Sequence, residues 1–149
     1  MQNRSRPIRG LIAGLSLLAL SGATQPGSQV SATVTGLRSA EGQVLACLTA
    51  MPAAFPKCEK DPDARTLIAP AAATVTLEFG SVPSGNYAIA LVHDENANGK
   101  LDKRLMMPRE GFGFSRDAPV RLGPPSFKSA AFEVDTEDTR QVIRMRYLF

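Results

Sequence analysis

Histidine is nearly absent from this chain: His93 is the one imidazole in 149 residues. That excludes a histidine-rich metal centre built within a single chain. Cysteine is scarce too, and the spacing of Cys47 and Cys58 is far from the C-x-x-C of a redox pair. No apolar run approaches the ~20 residues that a bilayer-spanning helix needs. Beyond residue 23 a sustained 3.6-residue apolar stripe is also missing, which argues against long amphipathic helices. Ser115 lies in Gly113-Phe114-Ser115-Arg116, not in a G-x-S-x-G elbow. Met51, Met106, Met107 and Met145 beside His93 make a poor copper set, because two of these residues sit in core-like strands.

What is present begins with an export signal. Met1 to Arg9 carries Arg4, Arg6 and Arg9 with no acid, and Leu11 to Leu20 is apolar apart from Gly14 and Ser16. Ser21-Gly22-Ala23 supplies the small residues of a cleavage site, so residues 1–23 read as a signal peptide and residues 24–149 as the mature domain. No cysteine follows the apolar run to carry a lipid, and the arginines are not adjacent as twin-arginine export requires. The expected location is periplasmic or secreted, with no membrane span after processing.

Processing alters the charge. The full chain has 17 Lys and Arg against 14 Asp and Glu. Removing three arginines leaves 14 basic groups against 14 acids, a net charge near zero. A basic face for nucleic acid is not expected.

The mature chain reads as strands. Gln29 to Leu37 alternates Val30, Ala32 and Val34 against Ser31, Thr33 and Thr35, and Ala73 to Phe79 alternates without a fault. Val44 to Thr49 and Tyr87 to His93 are apolar on both faces and suit central strands. Ser129 to Val134, the segment from Val142 to Phe149 and Arg65 to Ile68 complete about seven. Turn signals at Gly36, Gly42, Pro70, Pro83-Ser84-Gly85, Pro108 and Gly123-Pro124-Pro125 separate them. The expected fold is all-β, a single antiparallel two-sheet sandwich. In an oxidising compartment Cys47 and Cys58 are expected to pair, the alternative being two free thiols.

The most informative segment follows the Tyr87–His93 strand. From Asp94 it runs D-x-N-x-N-G-x-x-D, with Asp94, Asn96, Asn98 and Asp102 offering side-chain oxygens at positions 1, 3, 5 and 9 and Lys100 a backbone carbonyl. Gly99 falls at position 6, where an oxygen-lined calcium loop turns sharply. The flanking helices of an EF-hand are missing, and Leu105 stands where its bidentate glutamate would be. Ca²⁺ binding is therefore expected to be weak, with water or Glu110 completing the shell. Asp, Asn and Gly are also ordinary turn formers, and that reading stays open.

Three motifs in order carry a family resemblance. Val82-Pro83-Ser84-Gly85-Asn86-Tyr87 through Asp102, Pro108-Arg109-Glu110-Gly111-Phe112-Gly113-Phe114-Ser115, and Gly123-Pro124-Pro125-Ser126-Phe127 with Ala130 and Phe132 resemble the signature of the bacterial Domain of Unknown Function 2141 family. The resemblance implies an exported protein whose relatives have no assigned activity. A more distant similarity is to transthyretin-like sandwiches, where a turn of this kind leads into a central strand.

Met106 to Phe127, rich in Gly, Pro and Phe, reads as a long loop. Phe112, Phe114 and Phe127 either form an apolar ligand surface or, as is commoner, turn inward. Two functional classes remain at this point. One is a non-catalytic envelope module that presents a loop surface to an envelope protein, polysaccharide or small ligand, with no catalytic residues. The other is a transthyretin-like hydrolase or isomerase acting around Asp94, Glu110 and His93.

Overall fold

The computed structural model describes residues 27–149; the expected signal peptide, residues 1–23, lies outside them. The described chain is nearly all β, in several sheets. Its strands are β1 (Ser28–Thr35), β2 (Gln43–Thr49), β3 (Arg65–Pro70), β4 (Thr74–Val82), β5 (Gly85–Asp94), β6 (Lys103–Arg104), β7 (Met107–Pro108), β8 (Gly111–Phe114), β9 (Phe132–Val134) and β10 (Thr139–Arg144). A four-residue helix, α1 (Phe127–Ala130), precedes β9.

Alternation places the strands. In β4 the pattern is exposed for Thr74, Thr76 and Glu78 and buried for Val75, Leu77 and Phe79, as a half-buried strand requires. β4 pairs antiparallel with β1, which pairs parallel with β10, so the three-stranded sheet runs β10-β1-β4 and is mixed, not antiparallel throughout as expected. The larger sheet runs β3-β2-β5-β8, with β9 also on β5. Val30, Ala32 and Val34 of β1 share one core cluster with Val44, Ala46 and Leu48 of β2 and Ile89 and Leu91 of β5. Both larger sheets thus bury apolar side chains in the same interior.

β5 is interior, paired with β2 along Ala88–Asp94, with β8 along Ala90–His93 and with β9 along Gly85–Tyr87. Its second apolar face is covered as well. Ala88 and Ala90 pack with Phe112, Phe114, Ala118 and Ala130 in a second cluster, against which Phe55, Val120 and Phe127 rest. The segment expected as a loop is instead this cover. Phe112 and Phe114 turn inward, and the T-shaped contacts of Phe55 with Phe114 and Phe127 close the layer.

Two expected strands need correction. Ser129–Val134 begins as α1, because the Ser126 hydroxyl accepts the Ser129 N–H as an N-cap, and only Phe132–Val134 is extended. Val142–Phe149 is a strand only to Arg144, followed by a single bridge between Arg146 and Phe112. Cys47 and Cys58 are joined, with Cα atoms 6.4 Å apart and a sequence separation of 11. Closing so short a loop stabilises by about 3 kcal/mol at most in the chain-entropy account.

Candidate functional site

The site grows from the end of β5. Asp94 is the last residue of that strand and stands opposite Gln43, the first of β2. This pairing puts the Gln43 amide on Asp94 Oδ2 at 2.9 Å. The chain then wraps around the same carboxylate: Asn98 N–H donates to Oδ1 at 3.0 Å and Gly99 N–H to Oδ2 at 2.7 Å. Gly99, at φ +77°, makes the turn that brings both donors inward. Asp94 has no solvent exposure. Burial pushes its carboxyl up, but the Gln43 amide and the Gly99, Asn98 and Ala97 N–H groups outweigh that and hold it below its usual value.

The rest of the loop closes on itself. Asn96 and Asn98 each donate a side-chain N–H to Asp102, at 2.8 Å and 3.1 Å, while their Oδ1 atoms accept the N–H of Asn98 and of Lys100. Glu110, immediately before β8 and almost fully buried, clamps both ends of the loop. Its Oε1 accepts Glu95 N–H at 3.1 Å and its Oε2 accepts Asp102 N–H at 2.9 Å. The structure therefore brings Asp94, Asn96, Asn98, Asp102 and Glu110 into one hydrogen-bonded loop. The side chain of Lys100 is exposed at its turn. Among the described residues, no group of three or more His, Cys, Asp or Glu side chains is placed to hold a metal ion.

His93 faces the other way and is fully buried. Its Nε2 lies 2.8 Å from the Glu41 carbonyl, which can only accept, so Nε2 carries the hydrogen. Tyr147 Oη accepts Arg38 N–H at 3.1 Å and lies 2.7 Å from His93 Nδ1, so it is the donor there. Arg38 lies over the Tyr147 ring at 4.5 Å and binds Glu95 through two nitrogens. That guanidinium, first by its hydrogen bond and then by its charge, keeps the Glu95 carboxyl below its usual range despite burial. His93, Asp94 and Glu110 are thus taken up in framework bonds, and none of them lines the surface hollow beside Tyr147 and Arg144 or the one along Pro119–Pro125.

Sequence reasoning missed Gln43, Arg38 and Tyr147, whose partners lie 51 or more residues away. Ser115, set aside as a nucleophile, is buried and has a framework role that the sequence did not show. Its Oγ accepts Ile89 N–H at 2.9 Å and donates to Ala130 O at 2.6 Å. The hydroxyl bridges β5 at the interval between its pairings with β8 and β9.

Residues 32–142 match the family described as uncharacterized protein conserved in bacteria, DUF2141. The chain belongs to this family. Comparison with curated proteins and with solved structures returns no match. Within this DUF2141 protein the loop from Asp94 to Glu110 lies inside the matched span, as do β2 and β5, which hold it.

Proposed function

We propose that this DUF2141 protein is an exported, non-catalytic module, cleaved after Ala23 and working in the periplasm or outside the cell. In this reading the two larger sheets form a sandwich whose β2–β5 end presents a Ca²⁺-organised loop to an envelope protein, polysaccharide or small ligand. One observation carries it. Asp94 is a fully buried carboxylate whose described partners are all neutral, and Asp102 beside it is bonded only by two asparagine amides and forms no ion pair among the described residues. The donors around Asp94 keep its carboxylate charged but bring no positive charge, and a hard divalent cation among oxygen donors would supply one.

Binding requires Asn96 and Asn98 to turn their amide oxygens from backbone N–H groups toward the ion. With two certain acids the affinity belongs to the weak range of extracellular modules, about 10⁻⁴ to 10⁻³ M. The hydrolase alternative needs His93, Asp94 or Glu110 free in a cleft, and their hydrogen bonds leave them committed. The test is a melting titration with Ca²⁺ from micromolar to tens of millimolar at constant ionic strength. At about 100 times Kd, linkage adds about 2.7 kcal/mol to the folded state. Asp102→Asn, which keeps the shape of the side chain, is expected to flatten the curve. A wild-type curve as flat as that of the variant would sink the cation reading.

A further inference from the structure

The loop carries a projection that its hydrogen bonds do not explain. β6 and β7 form a two-residue hairpin, with Lys103 opposite Pro108 and Arg104 opposite Met107. Its turn residues are Leu105 and Met106, at φ +48° and +70°. Two positive φ values are what a type I′ turn demands, and Asn-Gly is the usual solution because bulky side chains are strained there. Here the strained positions hold large apolar side chains that are 86% and 90% exposed, and Met107 beside them is exposed too. Neither turn side chain contributes to either core cluster. Packing in the core does not account for Leu105 and Met106, so their identity points to something outside the chain.

The charges around the tip have one sign. Lys100, Lys103, Arg104 and Arg109 are all exposed, whereas Asp94 and Glu110 are buried and Glu95 is paired with Arg38. Asp102 is half-buried beneath its asparagines. None of the four basic residues forms an ion pair among the described residues. The hairpin stands on a fixed base, with Arg109 N–H donating to Asp102 O at 2.9 Å and Glu110 clamping Asp102 N–H.

We infer that the Lys103–Pro108 hairpin docks on an anionic phospholipid surface, inserting Leu105 and Met106 among the headgroups while Lys100, Lys103, Arg104 and Arg109 meet the lipid phosphates. A protein partner of ordinary affinity needs a broad complementary patch of roughly 800 Å² on each side, which a two-residue tip does not offer. An apolar point ringed by basic residues suits an interface whose outer layer is anionic and whose inner layer is hydrocarbon. The inference does not require the cation reading.

The experiment is flotation of the processed protein with vesicles of phosphatidylcholine alone and of phosphatidylcholine with phosphatidylglycerol, in chelator, so that calcium bridging plays no part. Binding is expected only to the anionic vesicles and is expected to weaken as salt screens the charges. The double variant Leu105→Asn with Met106→Gly restores the preferred turn residues, so its melting temperature is expected to equal or exceed that of the wild type. Its partition onto vesicles is expected to fall at least tenfold. Lys103→Gln and Arg104→Gln are each expected to cost roughly fivefold. A folded double variant that binds like the wild type overturns the inference. So does a wild type that ignores anionic vesicles, whether or not it captures a protein or a polysaccharide.

Discussion

A carboxylate without solvent exposure persists at position 94 because rigid donors surround it. Gln43 arrives from the neighbouring strand, and Asn98 and Gly99 arrive from the loop that Asp94 itself begins. These bonds favour the charged form and win over burial, so the carboxyl is held below its usual value. A group depressed in the folded state contributes stability that is present above its unfolded value, near 3.9, and is lost as pH falls through the folded value. Denaturant unfolding at a series of pH values is expected to show stability declining from about pH 4 downward. Asp94→Asn points a donor at fixed donors, so it is expected to cost about 3 kcal/mol at neutral pH and to make the acid decline shallower. A variant whose acid decline is as steep as that of the wild type would remove Asp94 from this role.

At the scale of elements, β5 depends on a side chain as well as on its neighbours. β8 covers Ala90–His93 and β9 covers Gly85–Tyr87, leaving Ile89 N–H to the Ser115 hydroxyl. Ser115→Ala orphans a buried N–H and the Ala130 carbonyl together, at an expected cost of about 1–3 kcal/mol. Hydrogen exchange is expected to quicken most at Ile89; an unchanged Ile89 rate would show that the hydroxyl is dispensable. Strands with strict alternation, such as β4, were legible in the sequence because burial on one face is a local pattern. β8 was not legible, since Gly111-Phe112-Gly113-Phe114 is apolar and glycine-rich like a loop. Its strand character comes from pairing with β5, which no local pattern encodes. Asp94, Asn96, Asn98 and Asp102 announced the loop by spacing alone. Gln43, Arg38 and Tyr147 stayed hidden because their roles arise from contacts distant in sequence. Tyr87, near the start of β5, is half-buried, with its hydroxyl on Pro83 O.

For the whole molecule, the decisive fact is that both apolar clusters meet on β5. Ile89 and Leu91 face the interior shared by the two larger sheets, while Ala88 and Ala90 face the cover built from Phe112, Phe114 and Ala130. Ala88 and Ala90 are small, which leaves room for phenylalanine rings to lie close to the sheet. Arg144 N–H on Asp117 Oδ1 and the paired bonds between Phe112 and Arg146 also tie the cover to the C-terminal segment. A layer fastened to the central strand and to the chain end should not peel away by itself, so unfolding is expected to be one cooperative event. Phe114→Ala, a change in the cover alone, is expected to lower global stability by about 3–5 kcal/mol. Leu91→Ala, on the opposite face of the same strand, is expected to cost about 2–5 kcal/mol and to shift the same transition. Circular dichroism and tyrosine fluorescence should report coincident midpoints in the wild type and in both variants. If Phe114→Ala left the main midpoint in place and only hastened exchange over residues 111–118, the cover would be an independent flap. The loop it carries from Asp94 to Glu110 would then move separately from the framework.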